Sequence, residues 1–429
     1  MRKQYVLIGL MALIVQFAQA QFTLDGEFRP RTEYFGNGGN FTGGSFPAQR
    51  ALDSDEGFMR TTVRAALKAK YTTETYTVFT SFQEVFAFGD RPQISAGASV
   101  DPITGQTTFR VQEAWADLKL GASSSLKVGR QPLSYDDQRI LGGLGWAQQA
   151  RTHDAVVYKY KKSKLSLDIG GALNTTVDEI YNTANLFSYR DMVFGRLNTK
   201  GEKLNFSFLA LVNTFQNGGD NNPATPPTTD RKATLLTTGA HADYKTGALT
   251  LSANIFLQEG ERVGGTDVKG ALLASVLAKY KVSDKLTLGA GYESISGRKD
   301  DSAAFFPLYG TNHAFNGLID RFYVGNHANA GGLNDLQVSL ATKISGLAVS
   351  LTGHIFSEVE DVDGFDGKEL GTEIDLVIAK KFKEFKLVGG YSHFFEPSEV
   401  KDNVSGIKGT QNWAWAMLII QPKFLNTAK

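Results

Sequence analysis

Cysteine is absent from all 429 residues, which excludes disulfides, thiolate metal sites and thiol nucleophiles. Beyond residue 20 the chain also lacks any apolar run near the roughly 18 residues that a helical membrane span requires. Neither sign of charge dominates. The 45 Lys and Arg meet 44 Asp and Glu, so no basic surplus points to a nucleic-acid partner. The six histidines, His153, His241, His313, His327, His354 and His393, accompany no recognisable nucleophile motif, and serines are too common to single one out. No catalytic residue and no cofactor is expected. No linker or shift of composition divides the chain, whose prolines and glycines gather in short joints and apparent loops.

What is present begins with an export signal. Arg2 and Lys3 precede an apolar run from Tyr5 to Val15, and Ala18-Gln19-Ala20 places small residues at the two positions that a secretory protease reads. Residues 1–20 are expected to be a signal peptide and 21–429 one mature domain. Loss of Arg2 and Lys3 turns the formal charge of +1 into −1.

Between residues 58 and 424 the chain repeats one unit of alternating polar and apolar residues, and its joints alternate short and long. A closed transmembrane β-barrel needs this rhythm, because each strand crosses a thin apolar band with its backbone paired on both edges. Leu249, Leu251, Ala253, Ile255 and Leu257 alternate with Thr250, Ser252, Asn254 and Gln258, and only Phe256 interrupts the polar series. Leu286, Leu288, Ala290 and Tyr292 repeat the pattern, as do Leu336, Val338 and Leu340. The reading places strands at 22–34, 58–72, 75–88, 108–120, 124–132, 151–161, 164–173, 187–200, 203–215, 233–245, 248–258, 269–281, 285–297, 333–343, 347–357, 370–380, 384–395 and 410–422. That makes eighteen, an even number as in bacterial barrels. Tight joints such as Thr73-Glu74, Lys162-Ser163, Thr246-Gly247 and Ser345-Gly346 are expected to face the periplasm. The longer connections, including 133–150, 259–268 and 298–332, are expected to face outward. A soluble β-sandwich would also bury an apolar face, but it does not require every second joint to be tight. Tyr34, Tyr71, Tyr76, Phe88, Tyr160, Tyr244, Tyr280, Tyr292, Tyr391 and Phe424 lie near strand ends, as interfacial girdles require.

Strand parity then sorts the charges. With Phe22, Leu24 and Phe28 toward lipid, Asp25, Glu27, Arg29, Arg31 and Glu33 point into the lumen. The next strand turns Arg60, Arg64, Lys68 and Lys70 inward, since Arg or Lys at the bilayer midplane costs about 2–4 kcal/mol. Pore-lining, anion-selecting candidates are Arg29, Arg31, Arg60, Arg64, Lys68, Lys127, Lys159 and Arg196. Guanidinium groups suit carboxylates through paired hydrogen bonds, and lysines add mobile positive charge. Inward acids, among them Glu113, Asp117, Asp168, Asp243, Glu293, Glu373 and Asp375, imply salt-bridge networks in the wall.

Two segments carry a resemblance. One runs from Leu126 through Gly129-Arg130-Gln131 and Asp137-Gln138-Arg139 to Arg151 and Asp154; the other is Phe306–Asp320. Both resemble the bacterial alginate-export outer-membrane barrels, as does the late strand Leu370–Leu376. The resemblance implies an eighteen-stranded monomeric barrel in the outer membrane, with an electropositive passage for a uronate-rich polysaccharide. One departure weakens that substrate. Where the family tends to carry an Arg in the third strand, this chain has Gln83-Glu84-Val85-Phe86.

The matched loop supplies constriction candidates: Arg130, Gln131, Asp137, Arg139, Trp146, Arg151 and Asp154. Arg–Asp pairing is expected to fold 133–150 inward, with Gly142-Gly143 permitting compact packing. The 298–332 connection is too rich in large side chains to be a tether and is expected to be a lid or plug, with Tyr309, His313, Asp320 and Arg321 as its candidate residues. A weak Ca²⁺ candidate is Glu358, Asp361, Asp363 and Asp366, although Gly364-Phe365 breaks the spacing of a calcium-binding helix-loop-helix motif. The function expected is an outer-membrane porin or export channel for anionic solutes, with lipid and an anionic small solute or uronate polysaccharide as partners. The alternative is a non-conducting barrel that acts as adhesin or scaffold through its long loops.

Overall fold

The computed structural model describes residues 20–36, 57–88, 109–174, 189–216, 232–262, 266–322, 331–360, 369–395 and 411–427. Apart from Ala20, the expected signal peptide lies outside them.

Alternation of apolar and polar residues, with β-branched side chains, builds strands throughout. The first nine are β1 (Gln21–Gly36), β2 (Phe58–Thr72), β3 (Tyr76–Ala87), β4 (Arg110–Lys119), β5 (Ser124–Gln131), β6 (His153–Lys162), β7 (Leu165–Leu173), β8 (Asp191–Lys200) and β9 (Leu204–Gln216). There follow β10 (Lys232–Thr246), β11 (Leu249–Glu261), β12 (Asp267–Lys281), β13 (Leu286–Ser296), β14 (Gly332–Ile344), β15 (Leu347–Ser357), β16 (Glu369–Lys381), β17 (Phe385–Phe395), β18 (Gln411–Ile420) and β19 (Lys423–Asn426). These 19 segments form one sheet in which every pairing is antiparallel. Both β18 and β19 pair with β1, whose other edge holds β2, so the sheet closes. Pro422 has no N–H to give the ladder, and it splits one final crossing into β18 and β19. The barrel therefore has eighteen strands, as the patterning implies. β11 and β12 reach to Glu261 and back to Asp267, which makes the connection there shorter than the 259–268 expected.

Short joints lie where expected, for example between Lys162 and Leu165 and between Ile344 and Leu347. In the latter, Ser345 and Gly346 both have positive φ, 49° and 79°, the backbone of a type I′ hairpin turn. The outward face carries Leu336, Val338, Leu340, Ile355 and Leu257, all exposed, as a surface that meets lipid must be. Tyr34, Phe88, Tyr244, Tyr280, Tyr292, Tyr391 and Phe424 are exposed on the same side.

The core lies inside the barrel. One buried cluster joins wall residues Val157, Met192, Phe194, Leu211, Leu235 and Leu273 to Leu133, Ile140, Leu141, Phe305, Phe306 and Tyr309 from two connections. A second joins Phe356, Phe394, Trp413, Trp415 and Met417 of the wall to Ile319 and Phe322, with Trp146 against it. Phe256, which breaks the polar series of its strand, faces inward and belongs to the first cluster. The upper lumen is thus packed as a protein interior.

Candidate functional site

The 132–152 and 297–322 segments fold into the lumen, where their backbone polar groups need partners in place of water. The wall supplies them by charge. On the β1–β2 side Arg29 Nη1 donates to Gly145 O at 2.8 Å and Arg31 Nη1 to Trp146 O at 2.9 Å. Arg64 donates to Ala147 O and Gln148 O, and Gln83 Nε2 to Gln149 O at 3.0 Å. Gln83 lies in the stretch that departs from the family pattern, and its amide serves as a loop anchor. Glu27 braces the group, 3.2 Å from Arg64 Nη1 and 2.6 Å from Lys68 Nζ. Arg31 also lies 4.3 Å over Trp146, which stacks on His313 at 4.7 Å.

The wall at β16, three strands from β1 on its other side, is acidic and takes the other loop's N–H groups. Glu373 Oε1 accepts from Ile319 N at 2.8 Å and Asp375 Oδ2 from Leu318 N at 3.2 Å. This approach requires Gly317, with φ 85°, because a Cβ there would meet Glu373 Oε2 at 2.5 Å. Gln258 clamps Phe306 from both sides, donating to its carbonyl at 2.7 Å and accepting from its N–H at 2.9 Å. The two loops bind each other through a short parallel bridge, Leu141 to Tyr309. At their junction Arg139, 1% exposed, pairs with Glu293 at 3.0 and 2.5 Å and donates to Asn312 and Asn316.

A third set of anchors joins the 132–152 loop to β8, β10 and β11. Arg196 pairs with Asp136 at 2.6 Å, and Asn254 Nδ2 donates to Asp137 Oδ2 at 2.6 Å. Burial and the Asp168 carboxylate raise the Tyr135 phenol far above its ordinary range, so it stays neutral. Burial does the same to Tyr309 and lowers the Arg262 guanidinium to about 10, still charged at neutral pH.

The expected site residues divide into three groups. Arg29, Arg31, Arg64 and Arg196 face inward as parity requires, yet they are spent on holding a loop. Arg60 lies opposite Glu33 in register. Lys127 and Lys159 remain on the inward face of β5 and β6, half-buried, with Trp115 and Phe79 beside them. Of the constriction candidates, Asp137, Arg139 and Trp146 enter the lumen, and Gln131 caps the Lys127, Gly129 and Ala155 carbonyls. Arg130 and Asp154 do not enter it. They pair with each other at 2.8 Å on the outward face that carries Val128, Val156 and Tyr158, because Arg130 stands three positions from inward Lys127 and Asp154 five positions from inward Lys159, both odd offsets. Tyr309, His313, Asp320 and Arg321 all lie in the inner body, His313 Nδ1 being 2.8 Å from Asp320. Glu358 is buried; Asp361, Asp363 and Asp366 lie outside the described residues. Residues that charge reasoning passed over are Gln83, Gln258, Asn254 and Trp115, whose inward parity was readable, and Arg110, which plain alternation from Glu113 puts outside and which a register shift between Ser81 and Phe82 sets opposite Gln83. At the upper rim a cavity of about 290 Å³ is lined by Arg110, Arg130, Arg151, His153, Tyr189 and Tyr309, among others.

The barrel's shape is shared with solved structures. Pseudomonas aeruginosa OccK9 (OpdG) superposes with a TM-score of 0.61 at 11% identity, over 94% of this chain and 98% of that one. Acinetobacter baumannii OccAB4 gives 0.58 at 15% identity, over 94% and 98%. P. aeruginosa OpdK, solved with vanillate, gives 0.58 at 12%, over 94% and 99%. At such identities the likeness shows the fold. No curated protein matches the chain. The family described as alginate export, however, matches residues 45–404. This chain belongs to the alginate-export family and is an outer-membrane barrel of the channel or porin kind, not an enzyme.

Proposed function

We propose that the barrel passes anionic solutes, uronates and short acidic saccharides among them, through the space that the two inward loops leave. In this reading the short joints face the periplasm, the long connections face outward, and the barrel works as a monomer. The observation that carries it is the inward pair Lys127 and Lys159, placed below a rim cavity that Arg110 and Arg151 help to line. Most other lumenal cations are engaged with loop carbonyls or carboxylates. These two lie half-buried on the inward face of β5 and β6, where an anion entering a low-dielectric passage gains most from fixed positive charge.

Planar-bilayer recordings test this. A salt gradient should give a reversal potential on the anion-selective side, and replacing Lys127 and Lys159 by Gln should move it toward zero. A cation-selective wild-type channel would refute the reading. A polyuronate should block current where a neutral polymer of similar size does not. The two buried lumenal clusters favour a second reading, a closed barrel that acts as scaffold or adhesin. That reading requires no stable ion passage in the same recordings.

A further inference from the structure

Trp115 occupies an unusually constrained place on the lumenal wall. Phe79 stacks beside it with centroids 5.2 Å apart and planes at 23°. Its Nε1–H donates to Glu113 Oε2 at 2.9 Å. The Lys127 ammonium lies 3.7 Å above its ring. A lysine facing a wet lumen ordinarily samples many rotamers; here the ring's negative face holds the ammonium in one place.

Lys127 has a companion. It lies opposite Val157 in register, which makes Lys159, two residues on along β6, its diagonal neighbour on the same face. The two ammoniums repel each other. Glu113 and Asp117 both attract Lys127, and Asp168 lies opposite Lys159, but Glu113 is bonded to the Trp115 indole while Asp168 also faces Arg196 and bonds Tyr135. Lys68 closes an ion pair at 2.6 Å; among the described residues neither Lys127 nor Lys159 does so. Adjacent like charges on one wall are stabilised by an anion between them, and a carboxylate has two oxygens to accept from both.

We propose that Lys127 and Lys159 form a single carboxylate-binding point in the lumen, and that Trp115 is the positioning residue that fixes it. This rests on the anion-channel reading and names the site at which selection occurs. Trp115 acts through Lys127 and does not itself bind the solute.

The test uses the full-length mature barrel in planar bilayers, with glucuronate added to a chloride current. The half-blocking concentration should rise about threefold to tenfold in Trp115→Leu. Trp115→Phe, which keeps an aromatic face, should restore most of it. In a Lys127→Gln background Trp115→Leu should add nothing, because the group that it positions is gone. A folded Trp115→Leu channel with unchanged block would overturn the proposal, as would an equal effect in both backgrounds. If that variant does not fold, Lys127→Gln and Lys159→Gln keep the question decidable: a shared site makes the double variant little worse than either single one, and additive effects would count against it. A wild-type channel that prefers anions but is not blocked by glucuronate sinks this inference alone. One with no anion preference sinks the channel reading on which it rests.

Discussion

Arg139 joins the two inward loops to the wall, so its removal is the sharpest perturbation of the inner body. Its guanidinium is bidentate to Glu293, donates to Asn312 and Asn316, and lies 4.5 Å from the Phe315 ring. Arg139→Met keeps the side-chain length and removes the charge, leaving the Glu293 carboxylate, itself 4% exposed, with Asn316 as its remaining partner. Breaking one side of such a buried pair costs about 3–5 kcal/mol. Applied to docking of the loops, that shifts the docked-to-undocked ratio by about two to four powers of ten. Single-channel recordings should then show larger, noisier conductance than wild type. Arg139→Met combined with Glu293→Gln should recover part of the loss, since the double variant no longer buries a lone charge. Quiet, unchanged conductance in folded Arg139→Met would refute the inner body's dependence on this junction. A double variant no better than the single would refute the charge-burial reasoning.

Three further outcomes follow from local geometry. Gly129 has φ 119°, and a Cβ there would meet Ala114 O at 2.2 Å; Gly129→Val should destabilise the barrel by at least about 1–3 kcal/mol, read as a lower urea midpoint. The outward Arg130–Asp154 pair is about half exposed, so Arg130→Ala should cost no more than about 1 kcal/mol, and less in high salt; a larger loss in urea titration would contradict its placement. Gln258→Leu removes the side-chain acceptor of the Phe306 N–H and one of the two donors to its C=O, which keeps Leu308 N at 2.7 Å; that should cost about 1–3 kcal/mol and increase protease access to 297–322.

The wall was legible in the sequence because period-two alternation is a local property. β1 and β2 place Glu27, Arg29, Arg31, Glu33 and Arg64 inward as parity requires, and Phe256 is an exception only until the lumen is seen to hold an apolar core. What those charges hold was less legible. Arg139 and Glu293 are 154 residues apart in sequence, and nothing local shows that closure brings a loop against β13. Arg29, Arg31 and Arg64 read as solute ligands because a lumenal guanidinium looks the same whether it faces a carboxylate or a loop carbonyl. Arg130 and Asp154 are different. Their parity against Lys127 and Lys159 was readable and put both outside, but membership of a matched motif drew them into the constriction. Trp115 shares the parity of Glu113 and Asp117; a survey of charges alone leaves it out.

The requirement beneath all of this is that neighbouring residues on one strand stand in different solvents. Val338 is 60% exposed on the outer face, and Ser339 points the other way. Spin labels placed singly at these two positions in lipid vesicles, with collision rates measured against oxygen and a water-soluble relaxant, compare the faces directly. Oxygen should dominate at 338 and the aqueous relaxant at 339; equal accessibility at both, or the reverse order, would contradict the account.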